Sequence, residues 1–75
     1  MKTFTIVGEY ITLGQFVKAA GLVDTGGMVK PFLEDTKILY NGEVENRRGK
    51  KIYPNDKLQI GKDVYLFKHD KWNQT

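Results

Sequence analysis

From Thr3 to Val7 polar and apolar residues alternate, with Phe4 and Ile6 on one side, which is the period of a half-buried strand. A strand is therefore predicted to open the chain. The period then changes: Leu13, Phe16, Val17 and Ala20 recur at i, i+3, i+4 and i+7, laying one apolar stripe along a helix. Thr12 and Gln15 have the spacing of a capping box, and Ile11 and Phe16 that of a hydrophobic staple. Gly21 is placed to end the helix in the left-handed conformation. These signals predict a helix over 13–20.

A second short helix is predicted from Asp24 or Thr25 toward Glu34, with Val29, Phe32 and Leu33 on its buried face. Gly26 and Gly27 are poor helix formers, and a proline in a helix interior costs roughly 3 kcal/mol. Either the helix kinks at Pro31, or it starts late with Pro31 at its first position. Strand patterning resumes at Lys37. Ile38 to Tyr40 and Glu43 to Glu45 flank Asn41-Gly42, a hairpin signal because both turn positions favour positive φ. Ile52-Tyr53 resume extended structure before a Pro54-Asn55-Asp56 turn, Leu58 and Ile60 alternate into another strand, and Gly61-Lys62-Asp63 turns into a last strand, Val64 to Phe67. Phe4, Phe16, Phe32 and Phe67 are expected in the core. The predicted fold is α+β, two short helices packed on a small, mostly antiparallel sheet. Residues 1–68 form one domain and 69–75 a polar tail.

At 75 residues there is room for one core and one functional surface. The absence of cysteine excludes disulfides, thiolate metal sites and a catalytic thiol. No apolar run approaches the roughly 18 residues of a membrane span, and Met1 to Val7 is too short and polar for a secretory segment. A soluble, cytoplasmic protein without a membrane partner is expected. The net charge of +3 says little, but its placement says more. Four of the twelve basic residues, Arg47, Arg48, Lys50 and Lys51, fall within five positions, while the nine acidic ones scatter from Glu9 to Asp70.

Guanidinium forks match phosphate oxygens, lysines add point charge, and Gly49 allows close backbone approach. The competing reading of this segment is a solvated loop that aids solubility. Gly26-Gly27 before a helix suits an anion, with Lys30 one turn further on, although a flexible turn explains the glycines as well. His69 is the sole histidine and no nucleophile–base grouping can be built around it. Asp24, Glu34, Asp35, Glu43 and Glu45 read as solubilising charges. No catalysis, cofactor or metal is assigned. Tyr40, Tyr53, Tyr65 and Trp72 are left as candidates to stack on an unpaired base.

Taken in order, the capped helix with Leu13 and Phe16, the Gly-Leu break, the second helix, the run from Lys37 to Val44 and the turn at Pro54-Asn55-Asp56 resemble the S-four RNA-binding family. That family, the alpha-L RNA-binding motif, ends its helix–helix–β unit in a similar hairpin and turn. The likeness runs from about Ile11 to Ile60. Within the family the chain is most similar to small stand-alone proteins of the YaaA type, through Thr25-Gly26-Gly27-Met28-Val29-Lys30 and Asn46 to Lys51.

The resemblance implies an RNA-binding surface carried by Gln15 and Lys18 on helix one, by Gly26, Gly27 and Lys30 at helix two, and by Arg47, Arg48, Lys50 and Lys51 on the rim after the hairpin. It departs from the broader family at Thr12 and Gly26, where arginines are usual. The implied function is non-catalytic binding of structured RNA, ribosomal RNA or ribosomal particles, by a monomer with a role in ribosome assembly. Two rivals are a protein-interaction module whose basic loop only aids solubility, and a sulfur-carrier-like β-grasp protein. The latter is expected to end in Gly-Gly, whereas this chain ends Trp72-Asn73-Gln74-Thr75.

Overall fold

The computed structural model describes residues 1–73, with side chains through Lys71. β1 (Lys2–Ile6) follows the alternation of its sequence, burying Ile6 and half-burying Phe4. It lies parallel to β7 (Asp63–His69), with Phe4 opposite Phe67. β6 (Lys57–Ile60), β3 (Ile38–Tyr40) and β4 (Glu43–Val44) extend the same sheet in the order β1-β7-β6-β3-β4, every other pairing being antiparallel. A second, two-stranded ladder joins β2 (Ile11–Thr12) to β5 (Lys51–Ile52). Sheet and helices together make the α+β fold expected from the sequence.

Helix α1 (Leu13–Ala19) starts at the predicted capping box. The Gln15 amide donates to Thr12 Oγ1 at 3.2 Å, and the Thr12 amide donates to Gln15 Oε1 at 3.0 Å. Ala20 becomes the cap residue, so the helix is one residue shorter than expected, and Gly21 turns the chain away at φ +76°. The stripe is buried as patterned, with Leu13, Phe16 and Val17 inaccessible to solvent.

The second helix starts late, as one of the two expectations had it, but not with Pro31 at its first position. Gly26–Met28 form a 3-10 turn, and α2 (Val29–Asp35) begins directly after it. Pro31 is then the third residue of α2, within the first turn, where amides have no partner inside the helix. The helix does not open on Pro31, which stands two residues inside it. Val29 and Leu33 are buried, whereas Phe32 is only partly so.

The core lies between the helices and the sheet, around Phe16. That ring meets Phe4, Tyr65 and Phe67 edge-on, each with centroids 4.9 Å away, the arrangement aromatic quadrupoles favour. Tyr65 is buried here and is not available to an unpaired base. The polar-tail expectation gives way at its start, because β7 runs through His69 and Asp70–Asn73 make a 3-10 turn. The Trp72 side chain, Gln74 and Thr75 lie outside what is described.

Candidate nucleic-acid interface

The basic segment is fixed by its own backbone before its charges matter. β5 brings Lys51 opposite Thr12, and two amides at the start of α1 then donate to the loop: Leu13 to the Lys50 carbonyl and Gly14 to the Arg48 carbonyl, both at 2.8 Å. Helix N-termini leave such amides without partners inside the helix, so the loop itself completes α1. Gly14 makes this closure possible. A Cβ there would sit 3.2 Å from the Arg48 carbonyl oxygen, 3.4 Å from Arg48 Cβ and 3.5 Å from Val29 Cγ1. Loop, α1 and α2 therefore meet at a position with no side chain. The sequence reading overlooked Gly14; its signal was a glycine inside an otherwise well-formed helix stripe, where a helix former is favoured.

Within the segment the side chains divide by role. Glu45, read from sequence as a solubilising charge, is buried, with 9% of its surface exposed. Arg47 grips it, donating from Nε to Oε2 at 2.9 Å, from Nη2 to Oε1 at 3.0 Å and from its backbone amide to Oε2 at 3.0 Å. The Arg47 guanidinium holds the Glu45 carboxyl down to about 2, against a smaller upward push from burial. Arg47 therefore spends one edge of its fork on the protein. Arg48 is exposed, and among the described residues its side chain has no ion pair or hydrogen bond.

Lys50 and Lys51 lie over aromatic rings, Lys50 Nζ 4.6 Å from the Tyr40 centroid and Lys51 Nζ 4.9 Å from that of Tyr10, within cation–π range. Tyr40, Arg47, Gly49, Lys50, Lys51 and Tyr53 line an open cleft of about 520 Å³. Its aromatic side is anchored by Asp56. That carboxylate accepts from the Tyr40 hydroxyl, from the Tyr53 amide at 2.8 Å and from Asn41 Nδ2 at 3.2 Å. Asn41 Oδ1 in turn accepts from the Lys57 amide at 2.8 Å. The Asn41-Gly42 hairpin and the Pro54-Asn55-Asp56 turn are thus one hydrogen-bonded unit. Burial, then the Asp56 carboxylate, pushes the Tyr40 hydroxyl well above the usual tyrosine range.

The helix-borne candidates gather separately. Gln15 is exposed, but its side-chain oxygen is engaged in the α1 cap. Lys18 is exposed and reaches toward the second helix, its Nζ lying 4.0 Å from where a Gly26 Cβ would stand. Gly26 and Gly27 open the 3-10 turn, and the Val29 amide donates back to the Gly26 carbonyl. Lys30 is exposed in the first turn of α2. Lys18 with Gly26 is one group, and Arg47 to Lys51 around the cleft is another. The Arg48 backbone rests on α1 at Gly14, beside Val29 of α2.

The S4 domain family matches this chain over residues 4–67. The chain belongs to the S4 domain family. The match reaches beyond the likeness seen between Ile11 and Ile60, taking in most of β1 and β7 as parts of the domain. A curated relative, the probable ribosome maturation protein RlbA of Bacillus subtilis (strain 168), is 50% identical over 52 residues, which are 69% of this chain and 73% of the relative. Both departures from the broader family now have a local setting in this S4 domain. Thr12 is the cap of α1, and the ammonium of Lys18 lies over the open surface at Gly26.

Proposed function

We propose that this S4 domain binds structured RNA without catalysis, and that the RNA is ribosomal, met during ribosome assembly by a cytoplasmic monomer. The binding surface is Lys18, Gly26, Gly27 and Lys30 on the helical side and Arg47, Arg48, Lys50 and Lys51 on the loop, with Gln15 between cap and solvent. One observation carries the reading: two carbonyls of the basic loop, those of Arg48 and Lys50, accept from the first amides of α1. The loop is thereby held rigidly while Arg48 and Lys51 stay exposed. A positive rim built on a fixed backbone positions phosphates, and it leaves selectivity to the shape of a folded RNA.

The likeness to RlbA, a probable ribosome maturation protein, supports the ribosomal part. Among the described residues no group of three or more His, Cys, Asp or Glu could hold a metal, and no helix is long and apolar enough to cross a membrane. Crosslinking the protein in cells and sequencing the attached RNA tests the proposal. Enrichment of a defined ribosomal RNA segment is expected. Recovery spread evenly over messenger and transfer RNA would reject the ribosomal assignment.

A further inference from the structure

We infer that the cleft beside the basic loop receives one unpaired base of the bound RNA, stacked on Tyr53, an inference that rests on the RNA-binding reading above. The cleft's volume of about 520 Å³ falls within the roughly 300–1,000 Å³ of small-ligand sites. Its two tyrosines are not equivalent. Tyr40 is half-buried, its hydroxyl tied to Asp56 and its ring face covered by the Lys50 ammonium, so it serves as the floor. Tyr53 is 45% exposed. Its amide is held by Asp56 and its ring leans on Tyr10 at 5.8 Å between centroids, so the exposed ring is already fixed in place.

An aromatic surface held toward water among cations matches the two parts of a nucleotide. The ring offers a stacking platform to any base, and the ammonium groups at its border neutralise the flanking phosphates. Lys50 and Lys51 supply that border, and Lys51 keeps its charge at the rim over Tyr10. At Gly49 nothing lies within 4 Å of where a Cβ would be, which leaves the mouth open to a sugar–phosphate chain. A fully paired duplex hides its base faces in its own stack and cannot use Tyr53, whereas a bulged or looped nucleotide can. The RNA element recognised is therefore a helix interrupted by at least one unpaired nucleotide.

The test compares a short RNA hairpin bearing one bulged fluorescent purine with the same hairpin fully paired, titrated with the whole protein at fixed ionic strength. The bulged hairpin is expected to bind more tightly, with quenching of the purine as it stacks. Tyr53→Ala should weaken that binding by at least about fivefold and leave the paired hairpin unchanged, while Tyr53→Phe should bind like the unaltered protein. Thermal melts establish that each variant is folded. Equal affinity for the two hairpins, or a Tyr53→Ala variant that still quenches, would overturn the stacking inference and leave RNA binding standing. No binding to either hairpin would overturn both. Quenching relieved by adenosine monophosphate at concentrations similar to the hairpin would make the cleft a free-nucleotide site and also reject the inference.

Discussion

Arg47 and Arg48 are neighbours with the same charge, and the fold gives them different work. Arg47 closes on the buried Glu45 carboxylate, whereas Arg48 faces solvent with its donors unspent. Arg47→Ala is expected to lower the thermal midpoint, because it strands a buried acceptor. Arg48→Ala should leave the midpoint in place and reduce RNA affinity. Melting curves and titrations on the two variants separate these outcomes, and equal effects would contradict the division.

Glu45 also sets an acid limit on the fold. Its folded value, about 2, lies below the ordinary 4.5, so the ionised form is favoured by folding. The stabilisation is complete above the ordinary value and is lost as pH falls from there through the folded value. Melts between those limits should show the midpoint of the unaltered protein falling more steeply than that of Glu45→Gln.

Gly14 is the residue whose role sequence alone concealed. Read along the chain it is a weak point in a helix, and its purpose appears only when the Arg48 carbonyl, 34 positions later, comes to rest on it. Gly14→Val is expected to destabilise the domain by about 1–3 kcal/mol through overpacking and to reduce RNA affinity by moving the loop. A variant that melts and binds like the original would show that the loop does not depend on this closure.

At the scale of elements, what the sequence revealed is what neighbouring residues decide. The α1 cap joins positions three apart, its stripe repeats every turn, and the Asn41-Gly42 turn needs only its own two residues, found at φ +49° and +91°. Each of these appears where expected. The β2–β5 ladder pairs two residues with two across about forty positions of chain; extended structure was legible at Ile52, but its partner β2 is too short a pattern to register. The parallel pairing of β1 with β7 and the Asp56 links depend in the same way on distant partners. The late start of α2 was legible, but Pro31 falls third in it rather than first, because the glycines form a separate 3-10 turn that is followed directly by Val29. Of the candidate site, the basic run was legible in composition, but Glu45's hold on Arg47, the cleft lined by Tyr40 and Tyr53, and the support of Tyr53 by Tyr10 required the fold. Because the cap is local, Thr12→Ala has a simple expected cost of about 1 kcal/mol. For a domain of this size that is a midpoint roughly 4–8 °C lower, measurable by calorimetry.

Across the whole molecule, positive charge is spread more widely than the proposed surface, and position must be separated from total charge. Lys62 lies in the turn between β6 and β7, and Lys71 in the 3-10 turn after β7, both exposed and both away from the basic loop in sequence. RNA affinity at fixed ionic strength should therefore be compared between Arg48→Ala/Lys51→Ala and Lys62→Ala/Lys71→Ala, two double variants that each remove two positive charges. The first pair is expected to lose at least about tenfold in affinity, as two charge-assisted contacts would require. Its dependence on log salt should also be shallower by about 1.5, the share of two displaced counterions. The second pair should stay close to the unaltered protein. Equal losses in the two pairs would mean attraction to overall charge without a defined surface, and no loss in either would contradict RNA binding through the basic loop.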